Sequence, residues 1–215
     1  MKRFVIVVLL VLFVLSLTSV FAQSRKPQFE VFGGVAIPLG PDDFKDYYKM
    51  GFSGHGQYVI FPSPKLGVSF GAAYERFTFD GDKVIDELEE IFGPLEGLDV
   101  TGSASVIELG VGVRPYLTPV ESNTQMFLFG MATYNMLKQE ITVDYLGESE
   151  SDSQDDNKFG LAAGAGFEFP AGTSMNFILQ GVFRFIFTES EEDPDTGEEY
   201  GGTTSFVGIT AGLAF

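Results

Sequence analysis

The chain has no cysteine, no tryptophan, a single histidine and few basic residues. Without cysteine, neither a disulfide framework nor a thiolate metal site is possible. Only 13 Lys and Arg stand against 30 Asp and Glu among the 215 residues, which gives a formal net charge of −17. Nucleic acid is therefore not expected as a partner, because its phosphates are bound by basic side chains.

Long apolar runs are equally scarce, and the one clear example lies at the amino terminus. A basic start, MKR, is followed by the run FVIVVLLVLFVLSLTSV, and the small residues Val20 and Ala22 precede Gln23. This pattern is typical of a secretory signal peptide. We predict that residues 1–22 are cleaved and that residues 23–215 form one domain. A retained anchor is the alternative, because the run is nearly as long as a spanning helix.

The whole chain is rich in phenylalanine and glycine, with 23 Phe and 26 Gly, a composition that favours short strands and turns. Apolar residues recur with period two in eight segments, and successive side chains of a strand point to opposite faces. In the fifth segment both faces are largely apolar, so the sequence does not fix its register. The eight segments lie at residues 29–37, 52–60, 66–74, 107–113, 125–137, 159–169, 175–187 and 207–215.

The two faces of these segments differ in a way that indicates their surroundings. In MNFILQGVFRFIFT, Gln180 and Arg184 share one face, whereas the Phe and Leu side chains share the other. Across the segments the apolar face is bulky and continuous, while the charged face is padded with small residues. This arrangement is typical of a barrel with lipid outside and a polar interior. A lipocalin-like soluble barrel, with the faces inverted, is the alternative.

The connections between the segments alternate in length. Three are short, namely PSP, TPVESN and PAGTS, and four are long, namely LGPDDFKDYYKM, DGDKVIDELEEIFGPLEGLD, DYLGESESDSQDDNK and ESEEDPDTGEEYGG. Short turns on one side and long loops on the other are typical of outer-membrane barrels. We therefore predict an all-β fold, an eight-stranded antiparallel transmembrane up-and-down β-barrel. It is expected to be monomeric, in the outer membrane of a diderm bacterium, with both termini periplasmic.

The second long loop is predicted to contain a short helix. Asp82 is in position to cap it, and its apolar residues fall on one face. Gly93 and Pro94 would end the helix. Such a face needs a surface to cover, and we expect it to lie over the barrel mouth, with a partner protein as the alternative. The apolar residues are Val84, Ile85, Leu88, Ile91 and Phe92.

Over residues 28–215 the chain resembles the small eight-stranded outer-membrane β-barrel family, of the OmpX, OmpA-barrel and opacity-protein type. The resemblance rests on the signal peptide, the eight alternating segments, the rhythm of loop lengths and the final FVGITAGLAF. In that family an alternating last strand that ends in an aromatic residue is read by the barrel-assembly machinery. The resemblance thus implies this machinery and outer-membrane lipid as partners, and implies that Phe215 is the assembly signal.

The charged residues of the inner face are predicted to form a buried network. An eight-stranded barrel is just wide enough for side chains to fill it, and an Arg can bind a carboxylate through two parallel hydrogen bonds. We interpret the network as a structural plug, with a gated proton or ion path as the alternative. Four Glu against two Arg leave excess negative charge, so we expect some Glu to be protonated or paired with His55. The members are Glu30, His55, Glu75, Glu108, Arg114, Glu168 and Arg184.

Acidic residues are concentrated in the four long loops, which hold 24 of the 30 Asp and Glu but only four Lys and Arg. In the last loop Asp193, Asp195 and Glu199 surround Gly197, an arrangement similar to the start of a calcium loop. The spacing to a closing Glu is not that of an EF-hand. Bridging by Ca2+ or Mg2+ is one hypothesis and a solvated acidic loop is the other. No further cofactor is predicted.

The predicted function is non-enzymatic, either structural or in surface interaction, with loops that meet cations, a basic protein partner or lipid headgroups. A narrow channel for ions or small solutes is the second hypothesis. The third is a lipid-modifying barrel enzyme that uses Ser53 and His55. Both residues lie on the interior face, and no carboxylate that would orient the histidine stands at a recognisable spacing, so catalysis is not expected.

Overall fold

The computed structural model describes residues 25–172, 174–188, 190–192 and 199–215. The predicted signal peptide and its cleavage after Ala22 lie outside these residues. The elements are β1 (Gln28–Gly40), α1 (Asp42–Tyr47), β2 (Gly51–Ser63), β3 (Leu66–Thr78), α2 (Gly81–Phe92), β4 (Leu98–Pro115), β5 (Gln125–Tyr145), β6 (Glu148–Pro170), β7 (Asn176–Ile186), β8 (Ser190–Glu192), β9 (Glu199–Gly201) and β10 (Thr204–Ala214).

Eight strands form a closed antiparallel barrel in the order β1-β10-β7-β6-β5-β4-β3-β2, which confirms the predicted fold. The ring closes between the first and last strands, where Glu30 pairs with Ala214. Phe215 N–H donates to the Phe29 carbonyl at 2.9 Å, and Phe29 N–H donates to the Phe215 carbonyl at 3.2 Å. Closure leaves no sheet edge in the barrel, as the hydrocarbon region requires. β8 and β9 form a separate small hairpin in the last long loop.

Burial alternates along the barrel strands, with the bulky apolar side chains on the outer face. Phe159 is 70% exposed and Leu161 49% exposed, whereas Ala162, the residue after Leu161, is buried. The structure also fixes the register of the fifth strand. Leu128 lies on the outer face and Phe127 in the lumen. The sequence left this choice open because both faces of β5 are apolar.

The lumen is not polar along its whole length, because an apolar cluster fills each end. At the long-loop end, Phe44 packs against Phe77 with ring centroids 5.0 Å apart, and Phe77 contacts Phe206 at 5.3 Å. At the short-turn end, Tyr116 contacts Phe127 at 5.6 Å. Phe44 belongs to α1, a helix that was not predicted. The first long loop therefore supplies the side chain that fills the mouth.

The helix predicted in the second long loop is present as α2, with differences at its start and in its packing. Its N-cap is Asp80 rather than Asp82, and Asp80 makes no side-chain capping bond. Gly93, at φ 82°, ends the helix, a conformation that glycine adopts without strain. The expectation that the helix buries its apolar face over the mouth is wrong for its last turn, where Ile91 and Phe92 are 73% and 72% exposed.

No helix among the described residues is long and apolar enough to cross a membrane.

The third long connection, predicted to span residues 144–158, is strand over most of its length. β5 and β6 pair without interruption from Gln125 and Glu168 to Tyr145 and Glu148. Only Leu146 and Gly147 connect them, with φ values of 52° and 89°; positive φ at both centres is the tight turn that suits the twist of a hairpin. On the outer face of β5 the last apolar residue is Met136, and Lys138 follows it. Residues 138–145 therefore continue beyond the apolar band for about 24 Å along the strand.

The assigned faces can be tested with glycines on neighbouring strands. A Cβ at Gly164 would overlap the Gly181 carbonyl and lie 2.6 Å from Phe129 Cζ, whereas a Cβ at Gly181 meets nothing within 4 Å. Gly164→Val should destabilise the barrel by about 1–3 kcal/mol or more, because it overpacks the lumen. Gly181→Val, facing lipid, should change little. Urea unfolding in lipid vesicles measures both, and equal losses would contradict the assignment.

Candidate functional site

Glu30 and Arg114 form the most buried ion pair of the predicted network. Arg114 Nη1 lies 2.7 Å from Glu30 Oε1 and Nη2 lies 2.9 Å from Oε2, a bidentate arrangement. Gln57 Nε2 donates to Glu30 Oε2 at 2.7 Å, and the Arg114 guanidinium stacks 4.3 Å from the centre of the Phe127 ring. The charges are almost fully removed from solvent, so this geometry compensates much of the lost hydration.

Arg184 joins two further glutamates across the lumen. Its Nη2 lies 3.2 Å from Glu75 Oε1, and its Nε donates to Glu108 Oε2 at 3.2 Å. Ser53 Oγ donates to Glu75 at 3.1 Å. In the ring, β7 stands four strands from β3 in either direction. The ion pair between Arg184 and Glu75 therefore ties opposite walls of the barrel together.

Glu168 lies apart from both arginines and has its own partners at the short-turn end. Asn176 donates to it at 2.6 Å, Tyr116 at 3.1 Å and Gln28 at 3.1 Å. Arg25 Nη2 lies 3.7 Å from Glu168 Oε2. Arg25 was not predicted as a member of the network, because it precedes the first strand and lies outside every alternating segment. This third arginine reduces the excess of negative charge in the lumen.

Of the two ways in which the excess negative charge was expected to be balanced, pairing of a glutamate with His55 is not found. Its Nε2 lies 2.9 Å from Gln180 Nε2, and its ring stacks on Phe32 at 4.2 Å with an interplanar angle of 17°. Ser53 donates to Glu75 instead of to the histidine. Ser53 and His55 therefore do not form a pair of the kind that activates a nucleophile.

A cavity of about 20 Å³ lies between the two apolar clusters, beside His55, Glu108, Gln180 and Arg184. Several buried polar atoms around this level have no hydrogen-bond partner among the described residues, including His55 Nδ1, Gln180 Oε1 and Arg184 Nη1. By the usual criterion of roughly 10–15 Å³, the space suffices for a water molecule. Its chemistry suits a bound water that completes the network.

The candidate cation loop lies mostly outside the described residues. Asp193 and Asp195 are not among them, and Glu199 begins β9, where its backbone pairs with Glu192. Within the part of the chain that is described, no three His, Asp or Glu side chains gather in a group suited to a metal ion. The cation-binding loop therefore stays a prediction.

Phe215, the predicted assembly signal, is held by the two backbone hydrogen bonds that close the ring. Its side chain is 55% exposed on the outer face. The terminal aromatic ring is thus presented to the surroundings of the barrel, next to the seam with β1.

Comparison with known proteins gives one family and several structures of similar fold. The family model for the outer membrane protein beta-barrel domain matches residues 7–215. Neisserial surface protein A (NspA) is 11% identical, with 89% of this chain and 97% of that chain covered and a TM-score of 0.52. A major outer membrane protein from Thermus thermophilus is 15% identical, with 89% and 99% covered and a TM-score of 0.54. None of the curated proteins matches the chain.

The buried pair gives a direct test of the lumen network. Arg114→Met should lower the free energy of unfolding by about 3–5 kcal/mol, because it leaves Glu30 charged and uncompensated. Adding Glu30→Gln to this variant should restore part of the loss. Lys138→Met, which breaks the exposed pair with Glu140, should cost about 1 kcal/mol or less. Urea titration in vesicles measures all three, and an Arg114→Met loss no larger than that of Lys138→Met would contradict the network.

Proposed function

The chain belongs to the outer membrane protein beta-barrel domain family, and from this premise we propose a barrel that neither conducts nor catalyses and that acts through its extracellular surface. The outer membrane is its location. The proposal rests on two features of the structure. Side chains fill the lumen, and an acidic hairpin, β5–β6, extends beyond the lipid-facing band. The filled lumen serves to hold the barrel together, and the hairpin meets partners.

The filled lumen opposes the second hypothesis, a narrow channel. An ion on this path would have to pass the Phe44, Phe77 and Phe206 rings at one end and the Tyr116 and Phe127 rings at the other. Dehydrating an ion among such side chains is costly unless a charge compensates it. Between the clusters, the charged groups are engaged with one another and join strands that are not neighbours. These contacts support a structural role for the interior.

The histidine and serine of the third hypothesis are each engaged elsewhere in the lumen. Ser53 donates to Glu75, and His55 contacts Gln180 and Phe32. Neither arrangement generates a nucleophile. These contacts support the proposal that the protein is not an enzyme.

Within the described residues, two lysines of the extracellular side are paired with carboxylates. Lys45 is paired with Asp42 at 3.1 Å, and Lys49 with Asp80 at 2.9 Å. The hydrogen bond between Lys49 and Asp80 raises the pKa of the lysine and lowers the pKa of the aspartate, so this pair stays charged over a wider pH range. With these lysines neutralised, the many remaining carboxylates set the sign of the surface field, which attracts cations and basic partners.

Because its lumen is filled, we predict that the protein does not conduct ions. The protein inserted at single-molecule level into planar bilayers should give no resolved conductance steps, because the apolar clusters exclude hydrated ions. Insertion is verified by recovering heat-modifiable protein from the same membranes. Reproducible steps that scale with salt concentration would contradict the proposal and favour the narrow channel.

An acidic surface predicts salt-sensitive attraction of cationic chains. Fluorescent oligolysine should bind nanodiscs of zwitterionic lipid that contain the protein more tightly than empty nanodiscs. The difference should shrink as salt rises, because the Debye length falls from about 30 Å at 0.01 M to about 8 Å at 0.15 M. Binding that equals that of empty nanodiscs at low salt would contradict the surface role.

A further inference from the structure

The face of the β5–β6 hairpin that continues the lumen side carries two columns of different chemistry. Its side chains share the parity of Phe127 and Asn135, which point into the lumen, so they face over the barrel mouth. The β5 column is mainly apolar and the β6 column mainly acidic. The cross-strand pairs are Leu137 with Asp156, Gln139 with Gln154, Ile141 with Asp152, Val143 with Glu150, and Tyr145 with Glu148.

Both columns are available to a partner. Val143 and Tyr145 are 38% and 48% exposed, and Glu148, Glu150 and Asp152 are exposed as well. No ion pair to these three carboxylates is formed within the described residues. Apolar and anionic groups thus stand side by side, about 4.8 Å apart at neighbouring strands.

The opposite face of the same hairpin has a different composition. Lys138 and Glu140 form an ion pair there, and Thr142 and Ser151 share a hydrogen bond at 2.9 Å. Its remaining carboxylates include Asp144 and Asp155. This face has no apolar column. Substitutions on it can therefore serve as controls for substitutions on the face that carries the two columns.

At its base the apolar column enters a groove of about 400 Å³ at the barrel mouth. Aromatic side chains from the first two long loops line one side, and Leu137 and Ile141 line the other, with Asp43 at the rim. A groove of this volume can accept apolar side chains. The aromatic residues are Phe44, Tyr47, Tyr48 and Phe79.

We propose that this face is a docking surface for a basic amphipathic peptide segment of a partner protein. The segment would lay apolar side chains along the β5 column and into the groove, and Arg or Lys side chains along the β6 column. The inference rests on the proposed surface function and specifies the partner's chemistry. Electrostatic complementarity of this kind selects the partner and its orientation.

Other occupants match the two columns less well. Among the described residues no three His, Asp or Glu side chains gather in a group suited to a metal ion, so the β6 column does not form a site for a single divalent ion. Anionic lipid headgroups would be repelled. A column of about 27 Å from Leu137 to Tyr145 also exceeds the length of a compact small molecule.

The absence of tryptophan makes the test direct, because emission from a tryptophan in the probe has no background from the chain. The probe is a short peptide of alternating leucine and arginine with one tryptophan, titrated into nanodiscs of zwitterionic lipid that contain the protein. Glu150→Gln with Asp152→Asn should weaken binding by about tenfold, as expected for two exposed ion pairs. Val143→Thr should weaken it by about threefold, because it replaces apolar surface with a hydroxyl.

The matched control removes the same charge from the other face. Asp144→Asn with Asp155→Asn should change the affinity by less than about twofold, since only the screened long-range field is altered. A probe with serine in place of leucine should bind the unaltered protein several-fold more weakly. The unheated gel mobility of each variant verifies that the barrel has formed.

The outcomes separate this inference from the proposed function. Equal weakening by the two double variants, or equal binding of the leucine and serine probes, would overturn the docking face while leaving a general acidic attraction in place. If neither these probes nor oligolysine binds above empty nanodiscs, the docking face and the surface function both fail.

Discussion

The requirement that every backbone N–H and C=O be paired inside hydrocarbon governs this structure. A single sheet meets it only by closing on itself, and here the seam between β1 and β10 extends to the last residue, Phe215. Closure fixes the faces of all eight strands at once, since side chains alternate. One face must satisfy lipid, and the other must fill a narrow lumen. The apolar outer face and the mixed inner face of each strand both follow from the need to pair the backbone by closing the sheet.

Filling the lumen explains why glycine, phenylalanine and arginine occur together. Gly164 leaves the space that the Phe129 ring occupies, and Arg114 and Arg184 each reach carboxylates on strands that are not their neighbours. Hydrogen bonds between adjacent strands define the circumference, whereas these ion pairs span the interior. The apolar clusters at the ends separate the charged middle from bulk water, which strengthens each interaction within it.

The sequence predicted what depends on periodicity and missed what depends on long-range contacts. Arg184 was assigned to the interior because seven alternating positions within residues 175–187 agree, whereas the register of β5 stayed open because Phe127 and Leu128 are both apolar. The third long connection was not predicted as strand because its Ser, Asp and Glu are poor strand formers; pairing with β5 overrides that preference. Arg25, the Gln180 partner of His55, and Phe44 in the mouth had no local signal, because each depends on a chain segment distant in sequence.

Beyond the lipid-facing band the side chains of a strand no longer have to face lipid on one side and fill a lumen on the other. The composition of the residues there therefore reflects other requirements. Val143 and Tyr145 lie above the membrane and outside the filled lumen, next to Val100 and Leu98 of β4, and they nevertheless stay 38% and 48% exposed. Glu148 and Glu150 beside them place like charges two residues apart in a strand that gains no stability from the repulsion. The other face of the same hairpin carries Thr and Ser side chains and no apolar column. Packing against β4 accounts for part of this apolar surface, and the part that stays exposed beside the carboxylates is what a partner would contact.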